Sequence, residues 1–224
     1  MRLIHSSQAQ LRSIRPAIGL ILAVCAIFLG TVLILHLWKG IRVDQLTRDP
    51  TAITGARPYV GFLSTIGLFF WSATASVCFL GAVLMNKQRG LLRLKRFLFA
   101  SGLLILLLGF DDAFLLHEDF LPQHVGIPER LVYVGYAALG LFYLVRFNAV
   151  ILNTDYLLLL LAWSLLGVSV SLDILLDRHI ISLPRRIAFL LEDGAKFAGI
   201  VSWLVYSARV VESAMDRKEP RGIR

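Results

Sequence analysis

The sequence predicts an all-α fold, a polytopic membrane protein built as a bundle of six transmembrane helices with both termini cytoplasmic. Three observations carry that expectation. Of the 224 residues, 57% are hydrophobic and 17% charged, against roughly 45–50% apolar and about 25% charged in soluble domains; the mean hydropathy is +0.73. Six stretches approach the about 20 apolar residues needed to cross a hydrocarbon core. Lys and Arg gather between those stretches, 14 on one side and 8 on the other when the spans alternate in direction, and cytoplasmic loops carry the basic excess.

The first span, 16–38, follows the basic start "MRLIHSSQAQLRSIR". Its apolar stretch exceeds the roughly 7 to 15 residues of a signal peptide, and in "LAVC" Val24 stands where a cleavage box wants a small residue, so an uncleaved helix is expected. The second and fourth spans, 58–85 and 128–147, open at Pro58 and Pro128, a residue suited to the first helical turn. The third covers 97–118 and the fifth 156–177. The sixth, 187–208, has its start signals in "SLPRR", where Ser182 and Pro184 precede the helix. Residues 209–224 read as a polar cytoplasmic tail. With no linker and no internal repeat, 1–224 is expected to form one domain, and an inverted-repeat transporter is not supported. Cys25 and Cys78 read as small core hydrophobes, with no disulfide or thiolate site between them.

A net charge of +8 raises the question of nucleic acid, and its distribution answers it: topology alone accounts for the basic residues. The expected partner is a lipid bilayer, with anionic headgroups at the basic loop "NKQRGLLRLKRF" (86–97). A multi-pass protein of the plasma, or inner, membrane follows. Oligomeric state is not legible.

The conspicuous feature is "FDDAFLLHEDF" (110–120), ionisable side chains at the end of a span. Alternation of the spans sets Asp111, Asp112, His117 and Glu118 at the outer end of the third helix. Asp173 and Asp177 then fall at the outer end of the fifth, and Glu192, Asp193 and Lys196 near the outer start of the sixth. His36, at the end of the first span, joins them. At about 1.5 Å rise per residue, Asp111, Asp173 and Glu192 share one layer below the outer surface. Acids at that depth are costly and face a bundle interior, pair, or mark a path.

Helical phase pairs Asp111 with Glu118 and sends Asp112 and His117 to opposite sides. Asp173 stacks over Asp177, and Glu192 over Lys196, each four residues apart. Tyr133, Tyr136, Gly140 and Tyr143 form a stripe on the fourth helix that offers hydroxyls at the level of the acids. An acidic pocket open to the non-cytoplasmic side is therefore expected. Its ligating residues are Asp111, Asp112, His117, Glu118, Asp173, Asp177, Glu192 and Asp193, and His36, Tyr133, Tyr136 and Lys196 line it.

Crowded carboxylates hold protons or give the hard oxygen ligands of a divalent metal, with His36 and His117 admitting softer ions. No fixed metal-binding spacing occurs in the sequence. The expected function is proton or cation binding, with ion-coupled transport as its consequence. One alternative is a membrane-embedded, metal-dependent hydrolase acting on a lipid, using His36, His117 and an Asp. Ser64 and Ser72 lack any serine-enzyme motif, and "EDGAKFAG" lacks the His-x-x-x-His that seven-helix ceramidase-like hydrolases carry in their final helix. A second alternative is a structural membrane protein in which Asp111 or Asp112 pairs with Lys196.

Overall fold

The computed structural model describes residues 2–85, 91–181 and 183–216. The expected start signal at Ser182, residues 86–90 of the basic loop and tail residues 217–224 lie outside the described residues, as does the side chain of Asp177. Every regular element among the described residues is helical. The chain divides into two units, 1–60 and 61–224.

The first unit is a long helix, α1 (Arg2–Lys39), followed by two five-residue helices, α2 (Val43–Thr47) and α3 (Pro50–Thr54). α1 ends at Gly40, whose positive φ of 69° lets its amide donate back to the His36 carbonyl at 3.0 Å, a left-handed stop that glycine adopts without strain. The short α3 has its cap in the sequence: Pro50 occupies its first turn, and the Asp49 carboxylate accepts from the amides of Thr51 and Ala52. Apolar side chains of α1 such as Leu20, Leu22 and Phe28 are exposed. Cys25 is exposed with them, which corrects its reading as a core residue. No side chain described on α1, over residues 15–39, is buried.

The second unit holds α4 (Phe62–Leu84), α5 (Leu92–Phe114), a ten-residue π-helix (Leu116–Val125), α6 (Glu129–Ile151), α7 (Tyr156–Asp177) and α8 (Arg185–Asp216). α4 packs on both α5 and α8, α8 packs on α7, and α6 meets α5 and the π-helix. Small residues on one side of α4, Ala75, Cys78, Gly81 and Ala82, are buried and bring helix axes together as expected for membrane bundles. At Gly81 a Cβ would lie 2.5 Å from a Val211 methyl. Cys78, fully buried, contacts the Ser207 hydroxyl at 3.5 Å. The core continues through Phe97, Ile105, Ala162, Ile200, Trp203 and Tyr206. Phe69, Leu80, Leu103, Leu141 and Leu157 point outward and are exposed, a polarity suited to lipid rather than water.

Five helical segments are long and apolar enough to cross a membrane: Arg15–Lys39, Phe62–Leu84, Leu92–Phe114, Glu129–Ile151 and Tyr156–Leu176. The chain is an integral membrane protein of multi-pass character. α8 forms where the sixth span is expected but is not among the five; Glu192, Asp193, Lys196 and Arg209 dilute its apolar run. Several boundaries move, two of them with a plain backbone cause. The second helix starts at Phe62, capped by Gly61 at φ 70°, so Pro58 lies before it. The third stops at Phe114, because Leu115 takes a left-handed conformation at φ 49°.

Candidate functional site

That stop at Leu115 builds the site. A straight helix would carry His117 about 120° around the axis from Asp111. Instead, the left-handed residue and the π-helix turn the chain back, and the His117 amide donates to Asp111 Oδ1 at 2.9 Å while its ring Nδ1–H donates to Asp111 Oδ2 at 2.5 Å. The expected pairing of Asp111 with Glu118 by helical phase is corrected accordingly: phase holds only within an unbroken helix. Tyr136 on α6 donates its hydroxyl to the same Asp111 Oδ1 at 2.8 Å. With three donors on one carboxylate, Asp111 is satisfied although only 7% exposed, as a buried charge must be.

His117 joins the acids to one another. Its Nε2 lies 3.4 Å from Glu118 Oε1, and its ring tilts against Tyr133 with centroids 5.1 Å apart. Both His117 and Glu118 lie beyond the end of the α5 span. Burial pulls the His117 imidazole down, but the hydrogen bonds to Asp111 and Glu118 outweigh it, and the pKa is pushed up to about 10. The His117 hydrogen bond in turn holds Glu118 below the usual carboxylate range, against its partial burial. The pair is therefore imidazolium and carboxylate at neutral pH.

Asp112, the next residue on α5, faces the other way. Its carboxylate accepts from the Trp71 indole N–H of α4 at 3.3 Å and from Lys196 Nζ of α8 at 3.2 Å. Lys196 thus pairs across helices with Asp112 rather than with Glu192 one turn before it, because α5 and α8 both pack on α4 and bring Asp112 within reach. On the far side, Tyr133 donates to Asp173 Oδ2 of α7 at 2.7 Å. Glu192 makes no hydrogen bond or ion pair with a described residue.

These groups line a cavity of about 410 Å³. Its polar lining includes Asp111, Asp112, His117, Glu118, Asp173 and Glu192, with Tyr133, Tyr136 and Lys196 beside them. Its apolar lining includes Leu104, Leu108 and Leu166 and three tryptophans, Trp71, Trp163 and Trp203. Gly140 permits that aromatic wall: a Cβ there would lie 2.6 Å from two atoms of the Trp163 ring.

Two expected residues of the second unit are placed elsewhere. Asp193 lies in a separate, much smaller recess with Asp112, Lys196 and Ser64. Tyr143 turns into the core, its hydroxyl 2.8 Å from Ser101 Oγ. His36 belongs to the first unit, where its ring Nδ1 lies 2.8 Å from the Ile41 carbonyl oxygen. Ser72 donates to the Leu68 carbonyl at 2.9 Å, an ordinary helix contact. Among the described residues, no group of three or more His, Cys, Asp or Glu side chains is placed to hold a metal ion. The tryptophans escape sequence reasoning because a Trp in an apolar span reads equally well as a lipid-interface anchor.

No curated protein and no solved structure matches the chain. A family model does, over residues 18–210, a range that includes every residue lining the cavity. The chain therefore belongs to the family described as a domain of unknown function, DUF8692.

Proposed function

We propose that the protein is a six-span membrane protein, both ends cytoplasmic, whose acid-lined cavity opens toward the non-cytoplasmic side and takes up positive charge, protons in the first instance. One observation carries this reading. Five carboxylates line the cavity with two cationic side chains, and both cations are already paired, His117 with Asp111 and Glu118 and Lys196 with Asp112. Asp173 and Glu192 remain without a cationic partner among the described residues. In a weakly polarisable surrounding, like carboxylates do not all stay ionised; they bind protons or an incoming cation. A proton needs no ligand cage, whereas a metal requires several converging donors, and the described residues present no such group. Proton uptake is therefore favoured over a metal-dependent hydrolase.

Infrared difference spectroscopy of the purified full chain tests the proposal. The carbonyl band of a protonated carboxylic acid is expected at neutral pH, and it should lose intensity in Asp173→Asn and Glu192→Gln. Absence of such a band, or a band indifferent to both substitutions, refutes proton uptake here. The six-span topology predicts that reporters fused after residue 216 and inserted at residue 126 report opposite sides of the membrane. Reporters on the same side refute it.

A further inference from the structure

The cavity is larger and more aromatic than protons require. A volume of about 410 Å³ falls in the roughly 300–1,000 Å³ range of small-molecule sites, which combine apolar walls with a few placed polar groups. Its carboxylates, Glu118, Asp173 and Glu192 among them, come from the π-helix, α7 and α8, whereas Trp71, Trp163 and Trp203 supply aromatic lining from α4, α7 and α8. Trp163 and Trp203 lie against each other, centroids 5.5 Å apart, and Trp71 meets Trp203 edge-on at 6.2 Å.

We infer that the cavity binds a small organic ammonium with an aromatic or apolar body. Its charge neutralises Asp173 and Glu192, the two acids without a cationic partner. Its body packs on the apolar and aromatic lining, where indole rings attract cations and apolar groups alike. A hydrated inorganic cation would use the carboxylates and leave the indoles idle. This inference rests on the acid-cavity reading above and names the class of cation that the site takes.

Equilibrium dialysis of the detergent-purified full chain with radiolabelled O-methyltyramine, an arylethylammonium with an ether oxygen, tests it. Saturable binding is expected, with the matching uncharged alcohol competing at least about tenfold more weakly, the factor that about 1.4 kcal/mol represents. Asp173→Asn combined with Glu192→Gln should weaken binding by a similar factor. Equal competition by the alcohol, or unchanged binding in the acid variants, overturns the inference in favour of a nonspecific apolar slot. If no ammonium binds while the infrared band still responds to the acid variants, the ligand class is wrong and proton uptake stands. If neither responds, both fall.

Discussion

Replacing Asp111 by asparagine isolates the pair at the centre of the cavity. The substituted side-chain amide could still accept one or two of the three hydrogen bonds that Asp111 receives from His117 and Tyr136, but the change removes the negative charge facing the His117 ring. The two side chains are 14% and 9% exposed, so water compensates little. Breaking one partner of a buried pair costs about 3–5 kcal/mol, and the residual amide contacts place Asp111→Asn at the lower end. The charge component depends on pH in a definite sense. The folded His117 pKa lies above its ordinary 6.5, up to about 10. Its contribution is therefore complete below about pH 6.5 and fades as pH rises through about 10. Glu118 is shifted down from 4.5, and its contribution is present above about pH 4.5 and lost as acid protonates it.

Denaturation of the purified protein in mixed micelles, wild type against Asp111→Asn, measures the difference. A gap of about 3 kcal/mol near pH 6 is expected, narrowing to about 1 kcal/mol above pH 10 as imidazole replaces imidazolium. Tyr136→Phe removes one hydrogen bond to a charged group, about 1.5 kcal/mol, and its effect should stay level over the same range. An Asp111→Asn gap that does not change with pH, or one below about 0.5 kcal/mol at pH 6, refutes the ionic reading of this contact.

Two further outcomes follow from packing and pairing. Gly140→Ala forces a methyl toward the Trp163 ring at 2.6 Å and should lower stability by about 1–3 kcal/mol, whereas Gly135→Ala on the same helix, with nothing within 4 Å, should raise it by about 0.5–1 kcal/mol; thermal unfolding in detergent compares the two, and equal effects would contradict the seating of the Trp163 ring against Gly140. A double-mutant cycle of Lys196→Met and Asp112→Asn should return a coupling of about 1 kcal/mol, modest because Lys196 is partly exposed at 34%. Zero coupling would remove the α5–α8 ion pair from consideration.

Hydropathy and charge are properties of local sequence, and they made the architecture legible. The all-helical class, the membrane environment and the approximate places of the helices follow from apolar runs long enough to span a bilayer. The grouping of acids near the ends of the third and fifth helices and the start of the last is likewise readable, since charged residues interrupting apolar runs stand out. Which groups touch is another matter. Asp111 meets His117 because the chain reverses at Leu115, a left-handed turn at an ordinary leucine between two apolar neighbours, with no glycine or asparagine to announce it. Lys196 meets Asp112 rather than Glu192 because helix crossing, and not spacing along one helix, sets the distance. The tryptophan wall depends on Gly140 admitting the Trp163 ring, a relation between two helices that neither sequence segment contains alone. Partition between water and lipid is decided residue by residue and sums along the chain, so the sequence by itself determines it; the choice of partners depends on where separate helices cross, and only the tertiary structure decides that.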